Sequence, residues 1–153
     1  MKSSIGKHYR VTLFGGSHEE KIGAILEGLP KGFVPDYEAL QRFMNRRAPG
    51  KSPFATPRRE TDLVEVASED PLTLIIRNRD IRPGDYARQA DVPRPGHADA
   101  TAFLRYGDRL NMSGGGPFSE RMTAPLCMGG GLALQVLARQ GIRIGAHIAA
   151  VGE

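Results

Sequence analysis

Two histidines set in glycine-bearing turns, His18 in the run FGGSHEE and His97 in RPGHAD, are the side chains here whose placement suits proton transfer. Imidazole changes charge between about pH 5 and 8, so a positioned histidine can give up or accept a proton near neutrality. Arginines at 46, 47, 94 and 121 and the run Ser113-Gly114-Gly115-Gly116 supply groups that hold anions: guanidinium forks, a hydroxyl and backbone N–H donors. Taken singly, each feature has a plain structural reading as a solvent-facing loop histidine, a helix-end cation or a tight turn. Together they suggest acid/base chemistry on an anionic substrate.

Several alternatives are disfavoured by the same residues. No Gly-Lys-Ser/Thr follows the glycine run, so it is not a Walker loop, and it lacks the spacing of the dinucleotide fingerprint. The two histidines lack the close helical spacing of a metal-ligand pair, and the lone Cys127 has no second thiol with which to build a zinc site or a disulfide. No metal is expected. The residues by themselves point to a phosphate-handling enzyme and go no further.

Charge placement agrees. The net charge is +4, from 21 basic and 17 acidic residues, and six basic residues fall between Arg42 and Arg59 with no acid among them. Only Phe43 and Phe54 are interleaved there, too few aromatics for a base-stacking surface, so a small phosphorylated or carboxylated ligand suits this segment better than nucleic acid. With 40% apolar and 25% charged residues the composition is that of a globular protein, and 153 residues correspond to about one domain. No run approaches the roughly 18 apolar residues of a membrane span, and the start MKSSIGKHYR has no apolar core of a signal peptide. A soluble, cytoplasmic protein with no membrane partner is expected.

The elements that must position these groups follow from local pattern. Tyr9–Phe14 and Ile22–Leu29 read as strands flanking the His18 turn. Asp36 is placed to cap a helix whose apolar stripe, Tyr37, Leu40, Phe43 and Met44, runs to Arg47 and ends before Pro49-Gly50. KSPFATP reads as an irregular loop, Leu63–Val66 and Leu72–Ile76 as further strands, and RNRDIRPGDYARQADVPRPG as a long loop. Ala98–Tyr106 is a brief helix stopped by Gly107; Thr123 is expected to cap a longer one reaching Gln140 and stopped by Gly141. Gly129, Gly130 and Gly131 fall inside that helix at a cost of about 1 kcal/mol each against Ala, tolerable where another backbone or a ligand packs closely. Ile142–Val151 reads as one more strand.

Several blocks in this order resemble the chorismate synthase family: FGGSH, then RRAPG with TPRRETD, RNRD before DYA, RPGHAD with a following Tyr-Gly pair, and a GGG segment. The likeness runs along nearly all 153 residues, and RPGHAD and the RRxPG block are its specific parts. It implies an α+β fold, the N-terminal part of a β-α-β sandwich with helices between antiparallel sheets, and residues 1–153 as a single domain. It also implies release of phosphate from 5-enolpyruvylshikimate 3-phosphate by 1,4-anti elimination to give chorismate, with reduced FMN as cofactor, NADPH as a reductant and a homotetrameric assembly.

By motif, His18 matches the histidine that protonates the departing phosphate, and His97 the one that protonates reduced flavin. Ser17, Arg47, Arg94, Ser119 and Arg121 match positions that hold the substrate's phosphate and carboxylates. His97, Pro117, Phe118 and Ser119 fall on the flavin side. The chain departs from the pattern in places. Gly16 stands for a glutamate and Glu19 for a glycine, Ser113 and Pro117 stand for arginines, Phe118 stands for a serine, and Pro53 for a second substrate arginine. Between Ser68 and Leu72 only Glu69-Asp70-Pro71 remain of a longer Gly/Thr-rich segment, and the family continues well beyond Glu153. Two expectations follow: a divergent chorismate synthase represented by its N-terminal portion, or an impaired remnant that binds phosphorylated ligand or associates with a complete subunit. Weak or no turnover is expected of this chain alone.

Overall fold

A computed structural model of the chain describes residues 3–48, 60–79, 92–107 and 112–152. The loop expected at 51–57 with Pro53, the basic residues Lys51, Arg58 and Arg59, and most of the long loop after Ile76 lie outside them.

The fold is α+β, built on an antiparallel sheet. Its strands are β1 (Ser3–Ile5), β2 (Arg10–Gly15), β3 (Lys21–Glu27), β4 (Glu65–Glu69) and β5 (Leu72–Arg77), in the spatial order β1-β2-β3-β5-β4. The register sets Val11 opposite Leu26, Leu13 opposite Ala24, Ile22 opposite Ile76 and Ala24 opposite Leu74. Because strand side chains alternate between faces, this pairing collects Val11, Ile22, Ala24, Leu26, Leu74 and Ile76 on one buried face. Helices α1 (Tyr37–Arg47) and α3 (Thr123–Ala138) cover it, contributing Leu40 and Met44 from the first and Ala124, Met128 and Leu132 from the second. The short helix α2 (Asp99–Tyr106) precedes two 3₁₀ segments, Ser113–Phe118 and Glu120–Met122.

Most expected elements are present. Asp36 caps α1, its Oδ1 accepting from Ala39 N–H at 2.8 Å, and α2 stops at Gly107 with φ 66°. The short link after Ser68 is a two-residue connection, Asp70-Pro71, between paired Glu69 and Leu72. The glycines of α3 are there for close approach. A Cβ on Gly129 would press on Val11 and Leu26, and one on Gly131 on Leu40 and Phe43, while Gly130 faces open space. Tyr9 closes over the same turn of helix, its hydroxyl donating to Gly129 O at 2.8 Å, and burial pushes its phenol up to about 12.

Two expectations are corrected and one element is added. Thr123 is the first residue of α3 and not its cap; its hydroxyl donates backward to Glu120 O at 2.7 Å, and the capping position falls to Met122, whose side chain makes no cap hydrogen bond. The segment Ile142–Val151 forms no strand: Ile144, Ile148 and Val151 are 64%, 79% and 87% exposed. Alternation there meets no neighbouring strand among the described residues, and an extended chain without a ladder partner leaves its backbone groups to water. β1 was not anticipated, since Ser3-Ser4-Ile5 has little strand character; pairing with β2 and the Ser4–Thr12 hydroxyl contact at 2.8 Å hold it.

Candidate active site

β2 ends at Gly15, whose φ of 90° turns the chain into Gly16-Ser17-His18-Glu19 before β3 returns. This turn is seated on the glycine run that precedes α3. Ser17 is buried; its hydroxyl donates to Ser113 O at 3.0 Å and Gly114 O at 3.2 Å, and its N–H to Gly116 O at 3.3 Å. Gly114, Gly115 and Gly116 all have positive φ, which glycine adopts without steric penalty. A Cβ at Gly114 would run into the ring of half-buried His18, so the glycines let the imidazole lie directly on backbone.

Asn78, at the end of β5, ties this turn to a cluster of charges. Its Nδ2 donates to Gly16 O at 3.2 Å and Glu19 O at 2.7 Å, and its Oδ1 accepts from Arg121 Nε at 3.1 Å. Arg121 Nη1 donates to Asp62 Oδ1, and Arg47 Nη1 donates to Asp62 Oδ2. The Asp62 side chain is fully buried and that of Arg121 only 5% exposed. Glu60, also buried, lies 4.0 Å from Arg121 Nη2 and accepts from Arg79 N–H through both carboxylate oxygens at 3.2 Å. Arg121 Nη2 is buried and makes no hydrogen bond among the described residues. Arg47 reaches the cluster from the last turn of α1, and Arg121 from the 3₁₀ turn that Ser119 caps, Ser119 Oγ accepting from Arg121 N–H at 3.2 Å. Burial pushes the nearby half-buried Cys127 thiol up, with Arg47 opposing and Asp62 adding to the shift.

Arg94 and His97 lie on the approach to α2. Arg94 grips Asp99 in a fork, Nε to Oδ2 at 2.7 Å and Nη2 to Oδ1 at 2.9 Å, and Nη2 also donates to Met112 O at 3.3 Å, at the start of the glycine run. The Arg94 hydrogen bond holds the Asp99 carboxyl at about 2, with burial opposing and His97 adding a smaller downward pull. His97 is exposed, its N–H donating to Arg94 O at 3.3 Å. Phe118, 42% exposed, lies against Tyr106 with ring centroids 6.4 Å apart, and Pro117 sits half-buried beside it.

The structure therefore brings Ser17, His18, Arg47, Ser119 and Arg121 into one connected set, with Arg94 joined to it through Met112. His97 and Phe118 stand at opposite ends of α2. Sequence reasoning did not single out Glu60, Asp62 or Asn78. The available signal was the pair of acids that follows immediately on the long basic segment, in RRETD.

Fold and site together define an α+β protein in which a buried arginine and a half-buried one converge on a buried carboxylate beside a glycine-held histidine turn. The model of the family described as chorismate synthase matches residues 9–153, and the chain belongs to that family. It is 45% identical to the chorismate synthase of Lancefieldella parvula over 97% of this chain and 41% of that protein. It is 42% identical to that of Aeropyrum pernix over 99% of this chain and 42% of the relative, and 40% identical to that of Porphyromonas gingivalis over 98% and 43%. The chain thus spans less than half the length of the curated relatives it matches. No helix among the described residues is long and apolar enough to cross a membrane.

Proposed function

We propose that this chain is the N-terminal portion of a chorismate synthase, a carbon–oxygen lyase that eliminates phosphate from 5-enolpyruvylshikimate 3-phosphate. The observation that carries the reading is the linkage of the Ser17-His18 turn, through Asn78, to Arg121 and Arg47 on their shared carboxylate. A departing phosphate needs fixed cations to hold its charge and a nearby acid to protonate it, and guanidinium keeps its charge at all working pH values. His18 is the proton donor to the phosphate. Ser17, Ser119, Arg47 and Arg121 hold the phosphate and carboxylates, with Arg94 at the edge of the set, itself held by Asp99.

When bound, reduced FMN would supply electrons transiently to the elimination, with no net redox change. The tilted pair Phe118–Tyr106, with Phe118 partly exposed, fits a planar conjugated ring. Pro117, Phe118 and Ser119 would border that ring, and His97 would hold the proton at its reduced form. NADPH is the natural reductant for such a flavin. Residues 1–153 act as one domain of a cytoplasmic homotetramer in this reading.

A second reading is favoured by one observation. The outward side of α3 is apolar, and Leu126, Gly130, Leu134 and Leu137 with Phe43 and Ile144 line an open hollow of about 380 Å³. Such a face calls for cover, so the chain would then bind phosphorylated ligand or join a complete subunit without turning substrate over. Anaerobic phosphate release from 5-enolpyruvylshikimate 3-phosphate with reduced FMN separates the two. Sustained turnover by the 153-residue chain rules out the second; binding of the substrate without phosphate release supports it.

A further inference from the structure

We infer that Asp62 is a positioning residue that fixes the mutual orientation of Arg47 and Arg121 for a phosphorylated ligand, an inference that rests on the function proposed above. Asp62 has φ 47°, the left-handed region that residues with a side chain seldom occupy and that Asp tolerates better than most. The conformation turns its carboxylate inward, where no part of the side chain reaches solvent. One oxygen takes Arg121 and the other takes Arg47, residues contributed by separate parts of the chain.

Each guanidinium has five N–H donors, and the carboxylate engages Nη1 of each. Asn78 takes Nε of Arg121, which leaves the buried Nη2 without a hydrogen bond among the described residues. Nη2 faces the buried Glu60 carboxylate, so Asp62, Asn78 and Glu60 hold Arg121 on three sides while Asp62 also reaches Arg47. With Glu60 at 4.0 Å from Nη2, the local charges of Arg47, Arg121, Asp62 and Glu60 sum to zero, so the cluster's value to an anion lies in where its donors point.

Charge and orientation predict opposite effects for Asp62→Asn. Removing a negative charge from an anion site tightens binding if charge alone matters; losing one of two gripped arginines weakens it. Calorimetric titration of the 153-residue chain with 5-enolpyruvylshikimate 3-phosphate, and with shikimate as the ligand lacking phosphate, reads the difference. We expect Asp62→Asn to weaken the phosphorylated ligand by about a hundredfold, the scale of a small misplacement of positioned groups, while shikimate changes little. Asp62→Gly, which keeps the positive φ, should behave likewise and recover affinity when formate refills the carboxylate position. Equal or tighter binding of the phosphorylated ligand by Asp62→Asn, or parallel loss of both ligands, overturns the inference. Loss of cooperative unfolding in both variants also overturns it, because the carboxylate would then serve folding. A second readout needs no ligand: the Arg121 Nη1–H resonance should be protected from exchange in the wild-type chain, where Asp62 accepts from it, and lose that protection in Asp62→Asn. If the wild-type chain binds no phosphorylated ligand, the proposed function falls while this resonance still decides whether Asp62 holds the arginine; unchanged protection in the variant overturns the inference.

Discussion

Asn78 and Arg121 are joined at 3.1 Å through Oδ1 and Nε, and the same amide donates to Gly16 O and Glu19 O on the far side. One uncharged side chain at the end of β5 thereby links the histidine turn to the arginine cluster. Replacing it with Ala strips partners from two carbonyls and one guanidinium N–H in a buried site. Asn78→Ala is expected to destabilise the chain by about 2–4 kcal/mol, since each buried group left unmatched costs about 1–3 kcal/mol and some regain water. Urea denaturation measures it; a loss below about 0.5 kcal/mol, the range of inert surface substitutions, would show that the link is dispensable.

His18 and His97 carry the proposed proton transfers. In the phosphate-release assay of a complete subunit that carries this chain as its N-terminal portion, His18→Ala and His97→Ala should each lower kcat by roughly 10²–10⁴-fold, the usual contribution of a general acid. Unchanged rates for either variant refute its role.

Gly114 separates crowding from backbone strain. Gly114→Ala would place a methyl group against the His18 ring at φ 61°, whereas Gly32→Ala, at φ 76°, meets nothing within 4 Å. Both variants pay the left-handed cost of about 1–2 kcal/mol, and Gly114→Ala should add about 1–3 kcal/mol for overpacking and also displace the imidazole. Equal midpoints for the two in thermal unfolding would contradict the packing described for the turn.

Within α3, neighbouring glycines should respond with opposite sign. Gly130 faces open space, so Gly130→Ala gains the helical preference of Ala, about 1 kcal/mol. Gly129 lies on Val11 and Leu26, so Gly129→Ala should instead cost about 1–3 kcal/mol. Guanidinium denaturation of the two variants side by side is the check.

Acid stability should report on Asp99. Its carboxyl is held at about 2 against an ordinary value of 3.8, chiefly by Arg94. A depressed folded-state value means that the contribution is fully present above the unfolded value and is lost as pH falls from about 4 towards 2. Asp99→Asn is expected to lower stability at neutral pH and to flatten its decline across that window. A variant whose pH profile parallels the wild type there would remove Arg94–Asp99 as a folded-state ion pair.

The local elements were legible in the sequence where a single short-range cause decides them. Asp36 was readable as a cap because its carboxylate needs only the N–H three residues on, and α2 stops at Gly107 because only a residue free to take positive φ ends the helix there. His18 and His97 stood out as histidines in glycine-bearing turns, and the trio Gly129–Gly131 signalled the close approach that Val11 and Leu40 make. The Ile142–Val151 strand failed for the complementary reason: alternation shows which faces a strand would have, but a strand exists only where a second backbone completes its hydrogen bonds.

What the sequence by itself determined were the strands and helices of the central core, the family, and the histidine and arginine types suited to a phosphorylated substrate. The tertiary structure alone decided that β5 inserts between β3 and β4, that Asn78 therefore meets the His18 turn, and that Asp62 lies between Arg47 and Arg121, 15 and 59 residues away along the chain. Short-range preferences act over a few residues and leave their mark in local pattern. A buried carboxylate, by contrast, is tolerable only once cations from distant segments have closed around it, and nothing local to Asp62 announces which cations those will be.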